Sequence, residues 1–329
     1  MAGELRARGA HVEFAGGDRV EQKMVPEAGY VLHRFSISGL QRRFSPALIA
    51  SMVRAGKAPV ACRRIIREVK PDVVFGAGGY VAGPMLAAAY TKHKPSALLE
   101  VDAHMGLANR LAAPLVDRVF LSFPIDGKKP PRYMVTGRPV PEPPAEEHRL
   151  AVPPDRRLVL VFGGSLGARN LNEAAAGAWG EEDPGFTVVH ITGDRDLERY
   201  RRFARDRYLV VGFTPHLRTL IDQADLVVAR AGGSIFEIAA AGKPSILVPS
   251  PNVTADHQTR NAEHFALGGA AILLSEAELS PTRLRSEVGA LLSDHERRER
   301  MADAAYRLAR PDAAAVIADE LLELCRELG

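Results

Sequence analysis

Cysteine is nearly missing from this chain: two residues in 329, Cys62 and Cys325, far apart and outside any CxxC or Cys/His spacing. That excludes structural zinc and disulfide stapling, and it fits a reducing compartment. No apolar run reaches the ~18 residues of a membrane helix. The opening MAGELRARGA has no apolar signal core, so the chain is expected neither to span a bilayer nor to be exported. No GxGxxG follows a strand with an acidic residue about 20 positions on, which disfavours a nicotinamide-dependent dehydrogenase. What is left, 46% hydrophobic and 25% charged, is an ordinary soluble composition whose length predicts two domains.

The net charge of +3 conceals an asymmetry. Residues 1–140 carry 21 Lys and Arg against 11 Asp and Glu, a balance of +10; the rest carries 22 against 29, a balance of −7. A basic first half suits an anionic partner such as a membrane surface, a polyphosphate lipid or nucleic acid, and equally suits a solvated face of scattered charge.

From residue 70 onward, β-branched runs alternate with Ala/Leu/Arg-rich stretches of helical period, the pattern of βαβ units around a parallel sheet. Strands are predicted near Asp72–Phe75, Ser96–Glu100, Arg118–Ser122, Arg157–Phe162, Thr187–Thr192, Tyr208–Phe213, Leu226–Ala229, Pro244–Pro249 and Ala270–Leu274. The Pro-rich polar stretch 141–148, where the charge balance changes sign, predicts a linker between a domain over 1–140 and another over 149–310. The tail 311–329 reads as an amphipathic helix with Ile317, Leu321, Leu322 and Leu324 on its apolar side, expected to pack back on the first domain. Glu4–Arg8 reads as the end of a helix and His11–Phe14 as a strand. The chain is therefore expected to open inside a βαβ unit, without the central strand and glycine loop that begin a doubly wound sheet.

Five loops carry the candidate chemistry. The apolar run from Arg157 ends in Gly163, Gly164, Ser165 and Gly167 and opens a helix, where backbone N–H groups can approach a pyrophosphate; a tight turn with no ligand fits the same residues. A second strand end carries Gly232, Gly233 and Ser234, with Glu237 in the helix that follows. Its carboxylate suits two vicinal ribose hydroxyls, or complements the helix dipole. A third loop supplies Asp256, His257, Gln258 and Asn261, an amide-rich fringe for sugar hydroxyls too poor in carboxylates for a metal site; Asp256 equally suits an N-cap. In the first half, the FGAGGYVAGP segment ends one strand. Glu100, Asp102, His104 and Asn109 gather after the next, where a histidine more often serves structure than catalysis.

Together these segments resemble the MurG family of peptidoglycan glycosyltransferases. The similarity runs over nearly the whole chain: ISGL at 37–40, PDVVFGAGGYVAGP, EVDAHMGLANR, VTGRPV, GGSLGARNLN, RAGGSIFEIAAAGKP and VPSPNVTADHQTRNA, in the family's order and spacing. The resemblance implies an α/β protein of GT-B architecture, two Rossmann-like domains facing a cleft, with the donor nucleotide on the second domain and a lipid acceptor on the first. It implies that Phe213 borders the uracil, that Gly163, Gly164, Ser165 and Gly167 contact the diphosphate with Gly232, Gly233 and Ser234 nearby, that Glu237 takes the ribose, and that Gln258 and Asn261 reach the N-acetylglucosamine. Asp102, Asn109 and Arg138 fall in the matching acceptor-side segments. The chain departs from the family at several points: Leu166 stands for Gln, Asp102 for Asn, and Pro141 for Arg, with Arg138 the nearest substitute. The block from Arg230 to Glu237 is one residue short, and the family's opening strand and histidine-ended glycine loop are not matched.

The activity implied is transfer of N-acetylglucosamine from UDP-GlcNAc to an undecaprenyl-pyrophosphoryl-muramoyl-pentapeptide, with inversion and with no metal or other cofactor. The implied partners are that donor, that acceptor and the anionic inner-membrane surface, with no nucleic acid, and the implied place is the cytoplasmic side of the cell membrane. Inversion needs one oriented base; His104 and Glu100 are candidates by location alone. The competing expectation is a UDP-sugar-binding or split-transferase subunit that needs a partner for its first strand and binds donor without efficient transfer.

Overall fold

Apolar runs buried on both faces form the strands, and helices whose apolar positions recur at three- and four-residue intervals cover them. The structure, a computed structural model, describes residues 1–17, 20–35, 46–141, 156–164, 167–251, 253 and 256–328. In chain order the elements are α1 (Ala2–Ala7), β1 (Glu13–Gly16), α2 (Glu21–Glu27), β2 (Val31–Arg34), α3 (Pro46–Val69), β3 (Val74–Gly76), α4 (Gly79–Thr91), β4 (Ser96–Glu100), α5 (Leu107–Ala112), β5 (Arg118–Leu121) and β6 (Tyr133–Val135). Then come β7 (Leu158–Phe162), α6 (Arg169–Trp179), β8 (Thr187–Ile191), α7 (Leu197–Arg201), β9 (Tyr208–Val211), α8 (Leu217–Gln223), β10 (Leu226–Ala229), α9 (Ile235–Ala240), β11 (Ser245–Leu247), α10 (His257–Leu267), β12 (Ala271–Leu273), α11 (Pro281–Ser293), α12 (His295–Ala309) and α13 (Ala313–Leu328). Each predicted strand is present, Ser96–Glu100 and Leu226–Ala229 with the predicted bounds and the others trimmed or shifted by one or two residues, and β2 and β6 are additional.

The chain divides into two compact units, Met1–Pro139 with Asp312–Gly329, and Val140–Pro311. Of the predicted linker, residues 142–148 lie outside the described residues. In the first unit β3, β4, β5 and β6 form one parallel sheet in that order, while β1 and β2 pair in parallel as a separate two-stranded sheet. Alternation along β4 and β5 sorts the core. Leu98, Val119 and Leu121 meet Ala58, Cys62 and Ile66 of α3 and Leu86 of α4 on one face. On the other face Ala97, Leu99 and Phe120 meet Ile317, Leu321 and Leu324 of α13.

The second unit is one parallel sheet of six strands in the order β12-β11-β10-β7-β8-β9. Val159 and Val161 of β7 face Leu171, Ala174, Ala175 and Ala178 of α6 and Leu284, Val288 and Leu291 of α11. Leu158, Leu160 and Phe162 face Leu220, Ile221 and Ile238 of α8 and α9. The Ser280 hydroxyl accepts from the Arg283 amide and Pro281 opens α11, so this helix starts where its cap chemistry dictates. Strand order reverses between β7 and β10, and loops at the carboxyl ends of strands flanking such a point form the usual ligand crevice. Among the described residues no helix is long and apolar enough to cross a membrane.

Candidate functional site

The two strands at the reversal of order, β7 and β10, both run into glycine-bearing loops, Gly163 to Gly167 after the first and Gly232 and Gly233 after the second. After β7, Gly163 and Gly167 are held by contact: a Cβ on Gly163 would fall 2.3 Å from that of Ala168, and one on Gly167 2.0 Å from the Thr192 carbonyl oxygen. Gly164 and Gly167 also take positive φ, 89° and 74°, which a side chain resists. This packing brings the backbone to the start of α6. Among the described residues no side chain caps this helix start, which leaves its N–H groups and dipole for an anion.

A cavity of about 510 Å³ opens there. Gly163, Gly164 and Gly167 line it with Ala168, Arg169 and Asn170 of the helix start, Arg230 after β10, Ser250 and Val253 after β11, Gln258 of α10 and Glu276 after β12. Gln258 is fixed by accepting from the Ser250 amide at 2.9 Å. Gly232 lies beside it, with room for a Cβ 3.9 Å from the Gln258 amide nitrogen. Ser165 lies outside the described residues.

Arg230, Arg169, Asn170, Ser250 and Glu276 were not singled out from the sequence. The Arg230 guanidinium, buried, donates to the Val248 and Pro249 carbonyls at 3.1 Å each and pairs with Glu276, so one side chain ties together the loops after β10, β11 and β12. The sequence carries no signal for either, because the burial of Arg230 and its pairing with Glu276, 46 residues away, arise only in the fold.

The other donor-side residues divide. Gly233 and Ser234 lead into α9, and Glu237 stands half-buried in its first turn. Phe213, just past β9, is 55% exposed, an unusual state for a large aromatic side chain. Neither Glu237 nor Phe213 lines the cavity. Asn261 is buried and donates to the Ala231 carbonyl at 3.3 Å, bracing the backbone before Gly232. Asp256 occupies the N-cap position of α10 in left-handed conformation; its carboxylate accepts from the Thr259 hydroxyl at 2.6 Å rather than from a backbone amide.

In the first unit the polar residues after β4 hold their own loop. The buried Glu100 carboxylate accepts from the Asp102 amide at 3.1 Å, the Gly106 amide at 3.1 Å and the Asn109 side chain at 2.8 Å; Asn109 also reaches the Leu99 carbonyl at 3.3 Å. Glu100 and Asn109 are therefore turned inward, and His104, like Asp102, is half-buried on the loop that they hold. Gly78, at φ 94°, packs under the same loop: a Cβ there would be 3.3 Å from the Leu99 carbonyl oxygen. Arg138 is half-buried beyond β6. Among the described residues no cluster of three or more His, Cys, Asp or Glu is arranged to hold a metal ion.

Parallel-sheet units, one with glycine loops around a cavity at its switch point, are the framework of a nucleotide-binding α/β protein. Residues 1–121 match the glycosyltransferase family 28 N-terminal domain and residues 158–317 the family 28 C-terminal domain. The chain belongs to glycosyltransferase family 28. It is 39% identical to the UDP-N-acetylglucosamine--N-acetylmuramyl-(pentapeptide) pyrophosphoryl-undecaprenol N-acetylglucosamine transferase of Salinibacter ruber, over 96% of this chain and 89% of that one. To the protein of the same name from Rubrobacter xylanophilus it is 38% identical, over 99% of each. The crystal structure of Acinetobacter baumannii MurG superposes with a TM-score of 0.79 at 25% identity, covering 98% of this chain and 94% of that one. The fold is GT-B.

Proposed function

We propose that this chain transfers N-acetylglucosamine from UDP-GlcNAc to an undecaprenyl-pyrophosphoryl-N-acetylmuramoyl-pentapeptide, with inversion, in peptidoglycan synthesis. One observation carries the reading: a glycine-built, uncapped helix start faces a cavity at the switch point of the second unit, in a chain that aligns almost end to end with transferases of that name. The α6 start and the glycine amides supply positive potential where the diphosphate of the departing UDP gains charge. Gln258, fixed by Ser250, presents its amide N–H groups to sugar hydroxyls. Glu237 takes the ribose and the exposed Phe213 borders the uracil, although neither lines the cavity. Asn261 acts through the loop it braces.

Inversion by a single displacement needs a base on the acceptor hydroxyl. Glu100 is committed to its loop by three hydrogen bonds, which leaves His104 as the candidate base and makes Glu100 and Asn109 the residues that set its position. Asp102 and Arg138 remain acceptor-side candidates. The test is transfer of radiolabelled GlcNAc from its UDP donor to a prenyl-pyrophosphate-linked muramoyl-pentapeptide, read with calorimetric titration of UDP. Transfer that falls by about 10²–10⁴-fold in His104→Ala, with UDP affinity unchanged, supports the assignment. UDP binding with no transfer to that acceptor overturns the function.

The protein works as a peripheral protein at the cytoplasmic face of the cell membrane, its basic first half toward anionic lipid. In the sequence, Arg42, Arg43 and Phe44, which lie outside the described residues, are followed by the apolar run 46–53 and by Arg54 and Lys57, a cationic and apolar pattern that suits an interface. Sedimentation with anionic vesicles should weaken with salt and with Arg42→Glu and Arg43→Glu together. Equal sedimentation of the double variant and the parent overturns this placement.

A further inference from the structure

His190 interrupts an otherwise apolar central strand. It sits in β8, fully buried, with Nδ1 2.8 Å from the Tyr208 hydroxyl of β9 and Nε2 3.1 Å from Oδ1 of Asn172 on α6. Asn172, also fully buried, directs its amide nitrogen at the Thr192 carbonyl at 2.9 Å and at the Asp196 carboxylate at 3.3 Å. One arrangement of protons satisfies all of these contacts. The carbonyl and the carboxylate only accept, so the Asn172 nitrogen faces them and its oxygen faces His190. Nε2 therefore carries the ring proton, and Nδ1 accepts from the Tyr208 hydroxyl. Burial holds the imidazole neutral, its pKa pushed down to about 3.

The far end of this chain of bonds is the Thr192–Gly193 peptide, the surface on which Gly167 rests so closely that no Cβ fits between them. Asn172 also belongs to the first turns of α6, where its own N–H donates to the Ala168 carbonyl at 2.8 Å. Thus β9, β8, the start of α6 and the seat of Gly167 are linked by directional bonds. Apolar residues would pack there without fixing direction, and a buried polar chain is stable only when fully satisfied.

We infer that Tyr208, His190 and Asn172 are positioning residues that set the glycine loop and the α6 start for the diphosphate of the donor. The inference rests on the reading of the cavity as a UDP-sugar site. It predicts that disturbing the chain weakens ligands carrying the diphosphate and leaves those without it alone.

The test is calorimetric titration of UDP and of uridine into the parent, His190→Asn, His190→Gln, Tyr208→Phe and the core control Val188→Ala, with the KM for UDP-GlcNAc and kcat measured alongside. In the parent, UDP binding no tighter than uridine overturns the reading of the cavity itself. Given tighter UDP binding, His190→Asn and Tyr208→Phe should each raise the Kd for UDP and the KM by about tenfold, with the Kd for uridine unmoved. His190→Gln, whose amide reaches the place of Nε2–H, should recover most of the loss, and Val188→Ala should lower the melting temperature without changing the UDP-to-uridine ratio. If His190→Asn shifts UDP and uridine alike, or matches Val188→Ala, the chain serves only the core and the inference is overturned.

Discussion

In the second unit β7 lies between β8 and β10, so six strands share one hydrogen-bonded sheet and the glycine loop leaves from its middle. In the first unit, among the described residues, β1 pairs only with β2, and β3 only with β4. The polar groups differ as well. Those after β7, β10 and β11 line a cavity; those after β4 hold one another. β7 and β4 are each flanked by a strand on both sides, so strand pairing does not make the difference. The loop after β7 is held by close packing of its glycines, which leaves backbone N–H groups for a ligand, whereas the loop after β4 is held by the Glu100 carboxylate, which takes up its amides.

The glycines give the largest expected contrast. Gly167→Ala places a methyl 2.0 Å from the Thr192 carbonyl oxygen at a positive φ, so loop and strand end must part. It should lower stability by roughly 3 kcal/mol or more and abolish UDP binding. Gly79, with a similar φ of 76° but nothing within 4 Å, should lose only the left-handed backbone preference on conversion to Ala, about 1–2 kcal/mol, with UDP binding intact. Urea denaturation and UDP titration check both; equal losses would break the contrast between a seated loop and an open one.

Native-state hydrogen exchange probes the sheets themselves. Amides of β7 and β8 should exchange only through global unfolding, while those of β1 and β2, a two-stranded pair, should open locally and be protected about 100-fold less. Equal protection would mean that the first unit is as continuous as the second.

The strands of the second unit were legible in the sequence because parallel strands buried on both faces read as unbroken apolar runs, as in Leu158–Phe162 and Leu226–Ala229. β6 was not, being three residues between a Pro-Pro pair and a Gly, too short to show a period. The glycine loops were legible because a missing side chain is itself the signal. The inward turn of Glu100, Asn109 and Asn261 was not, since a residue's type says what it can bond and not where it points. Arg230 and Glu276 escaped for another reason: a pair spanning 46 positions exists only after three strand ends have been brought together.

Two carboxylates sharpen the comparison at intermediate scale. Glu237→Ala in the second unit should lose about 1.5–3 kcal/mol of UDP binding with folding nearly unchanged. Glu100→Ala in the first should do the reverse, losing about 2 kcal/mol of stability as two amides and Asn109 lose their acceptor, with UDP affinity unmoved. If Glu237→Ala melts early and binds UDP as the parent does, both carboxylates serve structure and the division between the units fails.

The smallest expected effect is a dependence on pH that the two units should feel in different ranges. His190 is neutral in the folded second unit, its pKa pushed by burial from 6.5 to about 3. Unfolded, it takes up a proton as pH falls through about 6.5, while the folded form does not until about 3. Its contribution is therefore complete above 6.5 and declines between those values, by about 1 kcal/mol per pH unit. Glu13 of the first unit is the opposite case. Hydrogen bonds from His33, then His11, lower its pKa from 4.5, so the stability it adds is present above 4.5 and lost as pH falls through the depressed folded value. Between pH 6.5 and 4.5 His190 acts and Glu13 does not; His264 of α10, its pKa also lowered by burial, adds to the fall in the parent and in a His190 variant alike. The chain's one tryptophan, Trp179, lies on α6 and reports on the second unit. Urea titrations followed by its fluorescence across that window should show stability falling with pH in the parent more steeply than in His190→Gln, by about one proton's worth. Parallel slopes would mean that His190 is reached by protons in the folded state, and that the interior beneath the glycine loop is not closed to water.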